Sequence, residues 1–170
     1  MTLAYIALGA NLGDAEATVA AAIAALAELP ETRLVAVSSL YRTAPVGLKN
    51  QPDFINAVVA LEAALAPQPL LEALFEIEAS FGRQRSIRNA ARTLDLDLLL
   101  HGETTLNEAA LTLPHPRMHQ RAFVLAPLLE IAPDCEIPGY GAVRTLLDAC
   151  HDQRITRIAE CAGQPDCLIA

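Results

Sequence analysis

Lysine is almost missing from this chain: Lys49 stands alone among 170 residues, and arginine carries the rest of the basic charge. With 12 basic against 20 acidic residues and a net charge of −8, there is no basic surface of the kind a general nucleic-acid binder needs. No G-x-x-x-x-G-K-[ST] segment is present, so phosphate must be held by something other than a P-loop. Gly9-Ala10-Asn11-Leu12-Gly13 lies where a strand meets a helix, but it lacks the third glycine of a dinucleotide fingerprint, which favours a tight turn. Hydrophobic residues reach 53%, yet much of this is alanine and no run approaches the roughly 18 residues of a membrane span. The N-terminus has no positively charged leader, so a cytoplasmic protein with no membrane partner is expected. Cysteine is confined to Cys135, Cys150, Cys161 and Cys167, whose separations of 15, 11 and 6 residues match no C-x₂-C zinc pair. Spare or partly buried thiols are the expectation.

Against these absences, Arg92-Thr93-Leu94-Asp95-Leu96-Asp97-Leu98-Leu99-Leu100 stands out. Aspartate is depleted in strands, yet two aspartates interrupt an otherwise apolar strand pattern. Alternation sends Asp95 and Asp97 to one face and Leu94, Leu96 and Leu98 to a core on the other. Two carboxylates about 7 Å apart repel unless a cation lies between them, and Mg²⁺ is satisfied by one or two carboxylates completed by water and phosphate oxygens. An edge strand with an incidentally acidic face is the plain alternative. Upstream, Arg83, Arg85, Arg88 and Arg92 are crowded into one loop. Carboxylate-held metal beside several guanidinium groups is the composition that grips a polyphosphate. A solvated basic loop that merely pairs with the aspartates would also satisfy the charges.

A length of 170 residues suits about one domain that buries its own core. The periodicity predicts a strand over Leu3–Leu8, then a helix capped by Asp14 with Val19, Ile23, Leu26 and Leu29 on one face. Strands are expected over Arg33–Thr43 and Phe54–Leu65, a helix over Pro67–Phe81 closed by Gly82, and a fourth strand over Thr93–His101. This βαββαβ order is that of an α+β, ferredoxin-like sandwich, with two helices on one face of an antiparallel sheet and the other face open to ligands. Additional C-terminal helices follow, one through Phe123 to Ile131 and a short one near Leu146–Cys150, before a polar tail. We expect a single domain over residues 1–160 with a tail at 161–170. His101 and His119 read as surface residues.

Taken together, Tyr41-Arg42-Thr43, Phe54-Ile55-Asn56-Ala57, Gly82-Arg83-x-Arg85, Arg92-Thr93-x-Asp95-x-Asp97 and Pro114-His115-Pro116-Arg117-Met118 resemble the 6-hydroxymethyl-7,8-dihydropterin pyrophosphokinases of folate biosynthesis. The resemblance runs from Ala7 to about Pro133. It implies transfer of the β,γ-pyrophosphoryl unit of ATP to the pterin hydroxymethyl group, with AMP released, two Mg²⁺ ions as cofactors and a monomer as the expected state. It further implies that Asp95 and Asp97 hold both ions while Arg83 and Arg92 absorb charge on the transferred group. Thr43, Val46, Phe54, Asn56 and Phe123 match the pterin site, with Phe54 and Phe123 stacking on the ring. Glu78, Arg85, Arg92, Leu98, Thr112, His115 and Arg121 match the ATP side. One departure is Asn89-Ala90-Ala91, which stands where the family commonly carries Gly-Pro after an aromatic or Asn. The segments Ala44–Gln51 and Arg83–Arg92 are expected to close over both substrates. Two other readings stay open: a non-catalytic binding module on the same sheet, and a two-metal nucleotidyl transferase, which would present a basic track for nucleic acid.

Overall fold

The computed structural model describes residues 1–44, 52–82 and 94–159. Strand β1 (Thr2–Ala10) buries Ala4, Ile6, Leu8 and Ala10 on one face, and α1 (Ala15–Ala27) lays Val19, Ala22, Ile23 and Leu26 against them. Asp14 caps that helix as expected, its carboxylate accepting from Ala17 N at 3.1 Å. The expected second strand is divided into β2 (Thr32–Val37) and β3 (Leu40–Thr43). Ser38 and Ser39 make the break, and both are fully buried. Ser38 stays tied to the next strand, β4 (Phe54–Ala63), by donating its N–H to Val58 O at 3.0 Å and accepting from Val58 N at its Oγ at 2.9 Å. A continuous two-residue alternation hides such a break, because the serine hydroxyls replace ladder bonds.

Helix α2 (Pro67–Ser80) starts with proline in its first turn and ends before Gly82, whose φ of +80° suits glycine. Strand β5 (Asp95–His101) completes the predicted order. The sheet runs β3, β4, β1, β5, all antiparallel, with β2 sharing the β4 edge with β3. Both helices cover the face carrying Leu94, Leu96 and Leu98, so the expected core strip is where the alternation put it.

The rest of the chain differs more from expectation. After a small hairpin of β6 (Leu106–Asn107) and β7 (Thr112–Leu113), a 3₁₀ turn at Met118–Gln120 leads into α3 (Ala122–Ile131). Then β8 (Glu136–Ile137) pairs with β9 (Gly141–Ala142), and α4 (Val143–Asp148) follows. These elements pack Met118, Leu125, Leu128, Ile137 and Val143 onto Val58, Leu99 and Leu100, so the second face of the sheet is half covered rather than open. The polar tail is not featureless either. Thr156–Ala159 forms β10, an edge strand on β3 with Thr156 opposite Arg42. Its four residues are too few to show a period; pairing makes the strand. His101 is buried, not a surface residue, because β5 ends against the α2 side, where its Nε2 lies 2.9 Å from Leu65 O. His119 is half-buried and stacks on Tyr140 at 3.9 Å between ring centroids.

Candidate active site

Small residues make the floor of the site. On the second face of the sheet, β1 presents Ala7 and Gly9, with Gly9 opposite Asn56 of β4 on one side and Asp95 of β5 on the other. Ala7 lies opposite Asp97 in the same way. Strands are about 4.8 Å apart, so an amide and a carboxylate flank a shelf about 10 Å wide with almost no side chain on it. Glycine keeps that space open: a Cβ on Gly9 would crowd Asn56 Oδ1 at 3.2 Å and touch Phe54 Cδ1 at 4.0 Å.

Above this floor lies a cavity of about 580 Å³. That is the size of a small-molecule pocket. Thr43, Phe54, Asn56, Asp95, Asp97, Arg121 and Phe123 all line it. Residues from four elements, β3, β4, β5 and α3 with its N-cap, therefore converge on one space. Asn56 is buried, and its Nδ2 donates to Thr43 Oγ1 at 2.9 Å. That bond fixes which way the amide points and turns Oδ1 toward Gly9. Phe54 and Phe123 are half-buried, and the Arg121 guanidinium lies over the Phe123 ring with Cζ 5.5 Å from its centroid.

His115 stands beside this wall rather than in the lining. Its backbone N–H donates to Leu99 O at 2.9 Å, closing the outer edge of β5. Burial and the neighbouring Arg121 push its imidazole down to about 4, against a smaller opposing pull from Asp95, so the ring is neutral at pH 7. Its Nδ1 accepts from Arg117 N at 3.2 Å, which leaves the ring proton on Nε2 and makes that nitrogen a donor.

Three residues matched to the ATP side lie away from the cavity. Glu78 is buried under α2, where its Oε2 accepts from Leu96 N at 2.7 Å. Leu98 packs among the helix-side leucines, and Thr112 sits half-buried in the β6–β7 hairpin. Val46, Arg83, Arg85 and Arg92, with the two segments expected to close, lie outside the described residues apart from Ala44. Arg117, Gln120 and Gln153 line the cavity without having been picked out by their spacing. For Gln153 no sequence signal was available, since it arrives from the far end of the chain.

Among the described residues no cluster of three or more His, Cys, Asp or Glu could enclose a metal. Asp95 and Asp97, two carboxylates that face the same cavity, could hold a hard cation whose other ligands come from water and bound phosphate.

The comparison with known proteins settles the kinship. Residues 5–133 match the model of the 7,8-dihydro-6-hydroxymethylpterin-pyrophosphokinase (HPPK) family. The chain belongs to that family. It is 49% identical over 154 residues to the 2-amino-4-hydroxy-6-hydroxymethyldihydropteridine pyrophosphokinase of Pseudomonas aeruginosa, covering 91% of this chain and 95% of that one. The enzyme of the same name from Haemophilus influenzae is 42% identical over 158 residues, covering 93% and 99%. The fold also matches the crystal structure of wild-type Plasmodium falciparum HPPK-DHPS, at a TM-score of 0.67 and 15% identity. That match covers 87% of this chain and 44% of the longer one. The HPPK domain is ferredoxin-like, and the βαββαβ core described above has that form.

Proposed function

We propose that this pyrophosphokinase binds the pterin on the Gly9–Ala7 shelf and the ATP triphosphate beside it, over Asp95 and Asp97. The enzyme transfers pyrophosphate from ATP to 6-hydroxymethyl-7,8-dihydropterin, a step of folate biosynthesis, and ATP is its co-substrate. The observation that carries the placement is the register. An oriented amide at Asn56 and a carboxylate pair at Asp95 and Asp97 face the same cavity from opposite sides of a bare floor.

Each group then has a job its chemistry suits. Asn56 offers Oδ1 to the hydrogen-bonding edge of the ring, while Phe54 and Phe123 supply apolar faces for stacking. Asp95 and Asp97 would hold two Mg²⁺ ions. When bound, those ions neutralise the triphosphate and acidify a coordinated hydroxyl. Arg121 provides a guanidinium for phosphate oxygens, and the neutral His115 adds an Nε2–H donor that keeps its proton throughout the working pH range. In-line attack by the pterin hydroxyl oxygen on the β-phosphorus breaks the bond to the α-phosphate oxygen, and AMP leaves. Arg83, Arg85 and Arg92 are proposed to draw charge from the transferred group. Val46 and Thr43 border the ring, while Glu78, Leu98 and Thr112, which lie away from the cavity, act by supporting β5 and its neighbouring hairpin beside the nucleotide. A cytoplasmic monomer completes the proposal, and no described helix is long and apolar enough to cross a membrane.

Incubation with ATP, Mg²⁺ and 6-hydroxymethyl-7,8-dihydropterin should give AMP and pterin pyrophosphate in equal amounts, followed by chromatography. Nothing should form when EDTA exceeds Mg²⁺. Release of pyrophosphate instead of AMP would point to a nucleotidyl transferase. Intact ATP bound by a folded protein would point to a binding module.

A further inference from the structure

We infer that Gln153 is a positioning residue of the active site: its side-chain amide braces the start of α3 and so sets where Arg121 and Phe123 stand over the cavity floor. This rests on the proposal that Phe123 and Arg121 contact the substrates.

Helix α3 begins poorly supported. None of its own side chains caps its first turn. Pro127 lies inside it, and proline has no N–H to give to the carbonyl four residues back, which is that of Phe123. The turn that carries Phe123 therefore lacks a cap at one end and a ladder bond toward the other. Gln153 supplies what is missing. Its Oε1 accepts from Ala122 N at 2.9 Å, and its Nε2 donates to Gln120 O at 2.7 Å. A carboxamide can accept from an N–H and donate to a carbonyl at once through its two terminal atoms, and here it bridges the two residues on either side of Arg121. Phe123 follows directly.

The brace is itself held. Gln153 N–H donates to the carbonyl of buried Cys150 at 3.0 Å. Beyond it, β10 is zipped to β3, the strand that ends in Thr43, itself part of the cavity lining. Arg157 of β10 reaches Glu130 at 3.8 Å, and Glu130 in turn accepts from Tyr41 Oη of β3 at 2.7 Å. The segment from Cys150 to Ala159 thus links Gln153 in the cavity lining to the strand that carries Thr43. Gln153 lies twenty positions beyond the last residue matched by the family model, so this part of the wall is supplied from outside the region that defines the family.

The test is kinetic. Gln153→Leu keeps the size of the side chain and loses both hydrogen bonds. We expect kcat/KM for the pterin to fall about fivefold to tenfold while Tm moves by no more than about 2 °C. In a Phe123→Ala background the same substitution should cost less than about twofold more in kcat/KM for the pterin, because the ring through which the brace acts on the pterin is gone. Wild-type kinetics for Gln153→Leu would overturn the inference. So would a full additional loss in the Phe123→Ala background, or an activity loss that follows a fall in Tm. If Phe123→Ala alone leaves the pterin KM unchanged, the ring-stacking placement itself fails, and the brace with it. If Phe123→Ala is damaging and Gln153→Leu is silent, only the brace falls.

Discussion

The two faces of the sheet are built from the same strands and do opposite things. On the helix side, β1, β4 and β5 present Ile6, Val59 and Leu96 to α1 and α2, and the space is filled. On the other side, an odd number of positions away along each strand, they present Gly9, Asn56 and Asp95 to a cavity. The α3–α4 layer covers only the half of that face where Val58, Leu99 and Leu100 offer apolar surface. The strand alternation thus separates stability from the proposed chemistry by a single residue step along β5: Leu96 and Leu98 hold the fold, and Asp95 and Asp97 face the cavity where the ligand is proposed to bind. Neighbouring substitutions on one strand should therefore fail in different ways. The double variant Asp95→Ala, Asp97→Ala should lose activity by about 10³-fold or more and stay folded, since both side chains are partly exposed and like-charged. Leu96→Ala, between them, should lose about 2–5 kcal/mol of stability and keep its turnover per folded molecule. Thermal melts and kinetics on both variants decide it. A destabilised aspartate variant, or a catalytically dead but stable Leu96→Ala, would break the division of labour.

His115 sharpens the comparison at the boundary between the faces. Its imidazole is held down to about 4 in the folded chain by burial first and then by Arg121, with Arg117 adding to the effect and Asp95 opposing it. The unfolded value is about 6.5. A depressed folded pKa favours the folded state above pH 6.5, and that stability is lost as the pH falls from 6.5 toward 4, because the unfolded chain binds the proton more readily. The contribution is up to about 3 kcal/mol. Urea melts of the ligand-free, metal-free protein should show this decline, and His115→Asn should remove it. Parallel profiles for the two proteins between pH 6.5 and 4 would show that the histidine is not held neutral.

Much of this division was readable from residue order. Leu94-Asp95-Leu96-Asp97-Leu98 states the period-2 pattern outright, and Asp14 before an apolar periodic run announces a cap. Thr43, Phe54, Asn56 and Phe123 were legible through motif resemblance, and they do converge. What stayed hidden depends on contacts between distant residues. A buried serine pair that interrupts a strand looks like alternation, because its compensation is a hydrogen bond to Val58. The strand β10 exists only because β3 offers it an unpaired edge. Gln153 has no local signal, since both its partners lie more than thirty residues away. His101 reads as polar and surface-bound because nothing nearby in sequence reveals that Leu65 O will meet it.

Glu78 gives the finest test of the same boundary, because resemblance assigns it to the ATP side while the fold uses it as scaffold. β5 lies at the edge of the sheet, and the N–H of Leu96 turns outward, away from β1. Glu78 meets it from α2 at 2.7 Å, closing an edge donor that would otherwise be buried without a partner. Glu78→Gln keeps an acceptor and loses the charge, so it should cost only about 1 kcal/mol, the difference between a charged and a neutral hydrogen bond. If the carboxylate only supports β5, the KM for ATP should stay within about twofold while the urea midpoint falls slightly. If KM for ATP rises several-fold at unchanged stability, the carboxylate reaches the nucleotide. The helix-side face would then be part of the site, and the separation of the two faces would be incomplete at Glu78, a buried acid that touches β5.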